Sequence, residues 1–315
     1  MKFQRVIVVF NPRSSRFSKV QKEVLESLRE RKGAVIGKFE VEPTNVDENA
    51  ARLARILADG DLVITAGGDG TATIGLNGVI LSGKDVRYAA LPYGNLNDTA
   101  RLLGCRNIKE VFSGVPRKVY PLASEIDGRP WRYATCYFTA GMLATSAEVM
   151  DKPSVRKKLQ QGNHGTLYST WVAFSWWRKN RKRQFLPEGA SERRPLTENV
   201  SVVADAASGP VTDLIAVNGQ TMAKILKGMP EIAFQPKYFL ASTQRLNGFF
   251  KVCRFALRGV VKRIPGEVVE EIKISGKPKN VMVQAEGEYA RIEMKEFRVY
   301  KSDKPVLMIT RRKND

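Results

Sequence analysis

Residues 62–74, which read LVITAGGDGTATI, decide the fold of this chain. An apolar run of strand length ends on two glycines, an aspartate, a third glycine and a threonine, and a helical pattern follows. Glycine lets backbone N–H groups approach a ligand closely, and a helix N-terminus attracts anions, so this geometry suits a phosphate. Because a carboxylate repels phosphate unless a cation lies between them, the stretch predicts a magnesium nucleotide site in which Asp69 serves the metal or its waters. An ordinary strand-to-helix turn with a capping aspartate is the alternative on spacing alone.

Strand and helix patterns alternate over the first 120 residues, which predicts a parallel sheet flanked by helices. Ligands of such sheets bind at the carboxyl ends of the strands. Three polar motifs follow predicted strands: NPRSS (11–15), GGDGT (67–71) and PYGNLNDTAR (92–101). We therefore expect the three loops to share one edge of the sheet and one ligand.

The pattern changes at about Tyr120, where short alternating strands begin and Asp127-Gly128 predicts a hairpin turn. This predicts a β-sandwich or a related antiparallel domain. The predicted organisation is an α/β nucleotide-binding domain over residues 1–120, a β-sandwich domain over 121–300, and a tail, 301–315, that can return to the first domain.

Composition excludes several classes of protein. The apolar runs are too short to cross a bilayer or to form a signal peptide, so we expect a cytoplasmic protein. Three scattered cysteines and a single histidine disfavour a disulfide framework, a zinc site and hydrolases built on a Ser-His or Cys-His pair. The formal charge of +20 implies attraction to polyanions, either nucleic acid or an anionic membrane, and charge alone does not choose between them.

A basic, aromatic segment lies near residues 152–185. Leu167, Trp171, Phe174 and Trp177 recur at nearly helical intervals and precede five basic residues between 178 and 183. A helix with an aromatic face and a basic end can lie in the interface of an anionic bilayer. The alternative is a helix that packs its aromatic side chains on the sandwich, followed by a solvated basic loop.

Together with QAEGEYAR (284–291), the three loops resemble, in order, the motifs of the diacylglycerol kinase catalytic-domain family of lipid kinases, which includes sphingosine and ceramide kinases. NPRSS is similar to the family's NPxSG loop, and GGDGT matches its nucleotide signature. PYGNLNDTAR resembles P-x-G-T-x-N-D-F-A-R, and QAEGEYAR resembles Q-x-D-G-E. The resemblance implies an α/β domain of the NAD kinase type followed by a β-sandwich, with the active site in the cleft between them.

The resemblance also implies the cofactors and the site residues. The cofactors would be ATP and Mg²⁺, with Asp69 and Asp98 at the metal. The catalytic residues would be Asp69 and Glu286, with Glu286 as the general base. The implied nucleotide-binding residues are Asn11, Pro12, Ser14, Gly67, Gly68, Gly70, Thr71, Gly94, Asn97 and Glu288.

Some positions depart from the family pattern. Leu96 and Thr99 replace a glycine and a phenylalanine, and Thr73-Ile74 stands where an Asn-Glu pair is common. Glu286 replaces an aspartate, which moves the carboxylate by about an ångström, and misplacement on that scale can cost on the order of a hundredfold in rate.

The sequence therefore predicts an ATP-dependent lipid kinase that phosphorylates diacylglycerol or a related lipid, peripheral to the inner face of the membrane. One alternative is a degenerate family member that binds nucleotide or lipid without turnover, which the departures motivate. A nucleic-acid-binding protein is a further alternative, and no recognised nucleic-acid motif accompanies the charge. The sequence does not indicate an oligomeric state.

Overall fold

The structure is a computed structural model of the chain. It describes residues 3, 5–14, 17–29, 35–94, 97–141, 144, 148–149, 152, 154–155, 171–172, 174–175, 178, 200–202, 213–218, 236–241 and 271–312.

The first part of the chain alternates strands and helices, as the sequence predicts. Its parallel strands are β1 (Arg5–Phe10), β2 (Val35–Glu40), β3 (Leu62–Gly67) and β4 (Arg87–Pro92). Its helices are α1 (Phe17–Arg29), α2 (Val46–Ile56), α3 (Asp69–Ser82), α4 (Asp98–Leu103) and α5 (Ile108–Ser113). An apolar core lies on each face of the sheet: α2 and α3 contribute Leu53 and Leu76 to one, and α1 contributes Val24 to the other. Parallel strands need this cover because both faces of the sheet are apolar.

The last strand of the chain returns to this first sheet. β14 (Val306–Thr310) lies between β4 and β5 (Val115–Val119), parallel to β4 and antiparallel to β5. The strand order is β2-β1-β3-β4-β14-β5. The two domains are thus joined by the chain both before and after the second sheet.

The described residues of the second part form an eight-stranded antiparallel sheet with the order β11-β10-β8-β12-β13-β6-β7, in which β9 also pairs with β12. Its strands are β6 (Leu122–Ile126), β7 (Arg129–Ala134), β8 (Tyr137–Gly141), β9 (Val200–Val202), β10 (Asp213–Asn218), β11 (Pro236–Ala241), β12 (Glu271–Ala285) and β13 (Glu288–Lys301). Phe138 and Phe297 are fully buried in its core and contact the ring of Trp131. The prediction of an α/β domain followed by an all-β domain is confirmed.

Two tight turns in this sheet place non-glycine residues in the left-handed region. The predicted turn at Asp127-Gly128 has φ values of 49° and 74°, and Glu286-Gly287, which joins β12 to β13, has 48° and 92°. Positive φ at both central residues is typical of a two-residue hairpin turn, whose backbone twist matches the twist of the two strands that it joins. Glutamate is less suited than aspartate to this conformation, so surrounding contacts must hold Glu286 in it.

A buried amide joins the two domains. Asn77, which the sequence alone suggests is a turn or cap residue, lies inside α3 and donates to the carbonyl of Tyr133 on β7 (3.0 Å). The Tyr133 N–H donates back to Asn77 (2.8 Å). The backbone carbonyl and N–H of Tyr133 are thus both hydrogen-bonded to Asn77 of α3, the helix that follows the glycine loop.

Most of the predicted basic, aromatic segment near 152–185 lies outside the described residues, including Leu167, Trp177 and the basic residues after 178. Within the described part, residues 171–172, 174–175 and 178 are helical, and Trp171 is 62% exposed. None of the helices in the described part of the chain is both long and apolar enough to cross a bilayer.

Candidate active site

The glycine loop between β3 and α3 packs directly on the loop that follows β4. A Cβ on Gly94 would lie 2.2 Å from the α-carbon of Gly68, and a Cβ on Gly67 would lie 2.4 Å from the Thr71 hydroxyl oxygen. Neither position has room for a side chain because backbone or a neighbouring residue fills the space. The two loops therefore form a single surface at the carboxyl edge of the sheet.

Asn97 shapes the second of these loops. It has a left-handed backbone (φ 58°) and is 9% exposed. Its side-chain oxygen accepts the Gly94 N–H, and its amide nitrogen donates to the Gly94 carbonyl, both at 2.6 Å. The polar groups of this predicted nucleotide-binding residue are directed at its own loop, where they set the position of Gly94.

Asp69 lies at the start of α3, where two backbone N–H groups of the β4 loop hold its carboxylate. Oδ1 accepts from Asp98 (2.6 Å) and Oδ2 accepts from Asn97 (2.9 Å). Burial, followed by the charges of Asp98 and Glu286, raises the pKa of Asp69 to about 7, against the opposing effect of the two N–H donors. Burial also raises the pKa of Asp98, while Arg101 opposes that shift.

Glu286 reaches this group from the far end of the chain. It is 1% exposed, and its carboxylate accepts hydrogen bonds from the hydroxyls of Thr135 (2.6 Å) and Thr99 (3.1 Å) and from the N–H of Cys136. Burial raises its pKa, and the three donors oppose this. The predicted meeting of an early aspartate and a late glutamate is therefore observed, with their charges close enough to interact.

Glu288 approaches the glycine loop from the other side of the same hairpin turn. A Cβ on Gly70 would lie 1.8 Å from the Glu288 carboxylate oxygen Oε1, so this carboxylate lies against the first turn of α3. Glu288 is half-buried, whereas Glu286 is almost completely buried. The turn thus carries one half-buried and one almost completely buried glutamate.

The NPRSS loop follows β1, the neighbour of β3 in the sheet. Asn11 organises it: its side chain accepts the Arg13 N–H (2.9 Å), and its carbonyl accepts the Ser14 N–H (3.0 Å). Pro12 and Arg13 are exposed. Because Phe10 pairs with Ala66 in the sheet, this compact turn lies at the same edge as the glycine loop.

The comparisons with known proteins bear on this site. Residues 5–119 match the sequence model of the diacylglycerol kinase catalytic domain, and this range contains all three early loops. These 115 of the 315 residues are thus similar to the catalytic domain of diacylglycerol kinases. The chain therefore carries the domain of a kinase family.

Solved structures support the same fold over the whole chain. One is described as "A putative diacylglycerol kinase from Bacillus anthracis str. Sterne"; it is 15% identical, covers 98% of each chain and has a TM-score of 0.64. Another, of "a diacylglycerol kinases from Bacillus anthracis str. Sterne", is 16% identical with the same coverage and a TM-score of 0.63. No curated protein sequence matches the chain significantly.

The residues that hold Glu286 in place are Thr99, Thr135 and Cys136, and the sequence motifs do not indicate this role for any of them. Thr99 departs from the family pattern, yet its hydroxyl oxygen lies 3.1 Å from a Glu286 carboxylate oxygen and 2.7 Å from the Thr135 hydroxyl oxygen, within hydrogen-bond distance of both. Thr135 and Cys136 lie in an apolar stretch, YATCYF, that carries no functional signal. The threonine at 99 thus supplies a hydroxyl within hydrogen-bond distance of the Glu286 carboxylate.

Stability of the domain should depend on pH through Asp69. Its folded pKa of about 7 exceeds the ordinary value of 3.8, so the folded state holds a proton that the unfolded state has lost. Without a divalent cation, stability should fall as pH rises from about 4 to about 7, by up to ~4 kcal/mol from this group. Asp69→Asn should flatten the curve. Denaturant unfolding in a chelating buffer measures it, and parallel curves for the two proteins would contradict the expectation.

Gly70→Ala tests the approach of Glu288 to the glycine loop. The new methyl group must displace the flexible end of Glu288, so we expect kcat to fall by about a hundredfold while the fold is kept. Gly37→Ala on β2 is the matched control, since its new methyl group comes no closer than 3.5 Å to another atom. Equal activity of the two variants in the kinase assay described below would show that the Glu288 position is unimportant.

Proposed function

We propose that the protein is an ATP-dependent lipid kinase that transfers the γ-phosphate to a hydroxyl of diacylglycerol or a related membrane lipid. The observation that carries this proposal is the meeting of Asp69, Asp98 and Glu286 beside the glycine loop. Phosphoryl transfer requires positioning and charge neutralisation more than covalent chemistry. Carboxylates that can hold a cation next to a phosphate-binding loop meet both needs.

The site residues fit a magnesium nucleotide. The glycine loop and the N-terminus of α3 suit the phosphates. Each Asp69 oxygen accepts one N–H and so keeps a lone pair, and the Asp98 side chain is 20% exposed beside it. Among the described residues, no three His, Cys, Asp or Glu side chains are arranged to hold a metal ion by themselves. In this proposal Asp69 and Asp98 would therefore hold Mg²⁺ together with the nucleotide phosphates and waters. Bound magnesium ATP would supply the phosphoryl group and the neutralising charge.

Burial changes the assignment of the general base. Glu286, the base implied by the sequence motif, is 1% exposed and accepts three hydrogen bonds, so an acceptor hydroxyl has no direct approach to it. Glu288 is half-buried, and its carboxylate lies against Gly70. In this proposal Glu288 takes the proton from the acceptor hydroxyl. Glu286 contributes negative charge beneath Asp69 and fixes the turn.

The net charge of the chain and the exposure of Trp171 support a membrane lipid as the phosphoryl acceptor. The formal charge of +20 favours an anionic leaflet, and Trp171 is 62% exposed in the basic, aromatic segment. A kinase held at that surface would meet a lipid whose hydroxyl lies at headgroup depth.

Labelled ATP, magnesium and mixed anionic vesicles test the function. Vesicles containing diacylglycerol, ceramide, sphingosine or monoacylglycerol are compared in parallel. The proposal expects a labelled lipid, strongest with diacylglycerol, and no label without magnesium. Folded protein that binds ATP and labels none of the four lipids would refute it.

A non-catalytic nucleotide- or lipid-binding role is the second candidate function. The burial of Glu286 and its three hydrogen bonds favour this role, because an enclosed carboxylate can be structural. The same assay separates the two candidates: a binder retains ATP or associates with vesicles without transferring label.

A further inference from the structure

Arg132 carries a buried positive charge across the boundary between the two domains. It belongs to β7 of the second sheet and is 3% exposed. Its Nε and Nη2 donate to the two carboxylate oxygens of Asp47 (2.7 and 3.0 Å), in the first turn of α2. A two-pronged pair of this kind fixes orientation as well as distance, because both groups are planar.

The same guanidinium also reaches the late acidic turn. Nη1 of Arg132 donates to the backbone carbonyl of Glu288 at 3.1 Å. Glu288 begins β13, and its side chain lies against Gly70 of the glycine loop. The buried side chain of Arg132 therefore links α2 of the first domain to the backbone of Glu288, whose carboxylate contacts the glycine loop.

The residues that follow Arg132 continue this arrangement. Tyr133 exchanges two hydrogen bonds with Asn77 on α3, and Thr135 and Cys136 both donate to Glu286. Residues 132–136 therefore contact α2, α3 and both acidic residues of the turn. The Tyr133 pair joins the domains independently of Arg132, so loss of the guanidinium contacts should leave the domains docked and release the turn.

We infer that Arg132 is a positioning residue that sets the register of the Glu286–Glu288 turn against the glycine loop. It acts through Asp47 on one side and the Glu288 carbonyl on the other and touches no reacting atom. The catalytic consequence rests on the proposed kinase function, whereas the effect on the turn does not. A lysine at this position keeps the positive charge, but its single ammonium group cannot reproduce the three hydrogen bonds that the planar guanidinium donates to Asp47 and Glu288.

Arg132→Lys tests the inference by two measurements. We expect kcat for lipid phosphorylation to fall at least about tenfold, while the ATP dissociation constant measured by direct titration stays within about twofold, because the nucleotide loops lie in the first domain. In hydrogen exchange, the amide of Glu286, which donates to Tyr137, should exchange at least about tenfold faster. Asp47→Asn leaves Arg132 in place and should give a smaller change of the same kind. The double variant should be little worse than Arg132→Lys, as expected for one shared contact.

Arg5→Lys is the matched control. Arg5 forms a similar two-pronged pair with Asp61 (3.0 and 2.6 Å), but both residues lie in the first domain and away from the turn. It should lower thermal stability without changing kcat or the Glu286 exchange rate. The inference is overturned if Arg132→Lys changes kcat no more than Arg5→Lys, or if Glu286 exchange stays at the wild-type rate. If the wild-type protein phosphorylates no lipid, the proposed function fails and the exchange measurement alone decides the role of Arg132.

Discussion

Asp69→Asn should lower kcat for lipid phosphorylation on the order of a thousandfold, comparable to or larger than the loss of a single oxyanion-type contact. Asp69, at the start of α3, contacts the loop after β4 and interacts with the late glutamate. It accepts two backbone N–H groups from that loop, and its carboxylate is repelled by the charges of Asp98 and Glu286. The amide keeps the size of the side chain and one acceptor oxygen. It removes the charge that would attract the magnesium nucleotide, so ATP binding in the presence of magnesium should weaken as well.

Asp127→Asn is the matched control for this prediction. Asp127 accepts two backbone N–H groups, from Lys295 and Glu296, both on Oδ1, and it lies in a hairpin turn of the second sheet. An asparagine at 127 therefore keeps both contacts on its one oxygen and reports the effect of charge removal away from the site. We expect both variants to fold and only Asp69→Asn to lose activity in the vesicle assay. A loss of less than about tenfold at Asp69 would remove that carboxylate from the mechanism.

Glu288→Gln and Glu286→Gln together decide which carboxylate takes the proton. We expect Glu288→Gln to lower kcat by about 10²- to 10⁴-fold, the range for loss of a general base. Glu286→Gln should cost on the order of tenfold, because a glutamine keeps an oxygen for Thr135 and Cys136 and can offer its amide to the Thr99 hydroxyl. Steady-state kcat for the acceptor lipid, measured across pH, gives both values and shows whether the acidic limb of the profile depends on residue 288.

The exposed Glu293 on β13 provides a control for charge removal on the same strand. Glu293→Gln should match the wild-type protein in both kcat and thermal stability. If Glu286→Gln proves the more damaging of the two, the base is the buried glutamate, and the turn must open during the reaction to admit the acceptor.

The local pattern of the sequence predicted the parts of the site that depend on neighbouring residues. Two glycines and an aspartate after a buried strand indicated a strand-to-helix loop, and the structure ends β3 at Gly67 and begins α3 at Asp69. Positive φ at Asp127 and Gly128 follows from the turn preference of that pair. The resemblance to the diacylglycerol kinase family, stated from ordered motifs, is confirmed. The roles given to individual site residues stay predictions.

Burial and charge at the site could not be predicted in this way. Thr99 lies 187 residues before Glu286 in the chain and Thr135 lies 151 before it, so no local pattern reveals that their hydroxyls enclose the glutamate. The buried position of Arg132 is equally hidden, because a charged residue in a strand pattern is ordinarily exposed.

The sequence by itself thus determined the alternation of strands and helices, the edge of the sheet at which the three polar loops meet, and the resemblance to the diacylglycerol kinase catalytic domain, because periodicity, turn preferences and short motifs are properties of neighbouring residues. The tertiary structure alone decided which carboxylates are buried and have raised pKa values, and which arginine contacts both α2 and the late acidic turn. Those properties depend on desolvation and on the charges and donors that distant segments bring within a few ångströms, and such contacts exist only once the chain has folded.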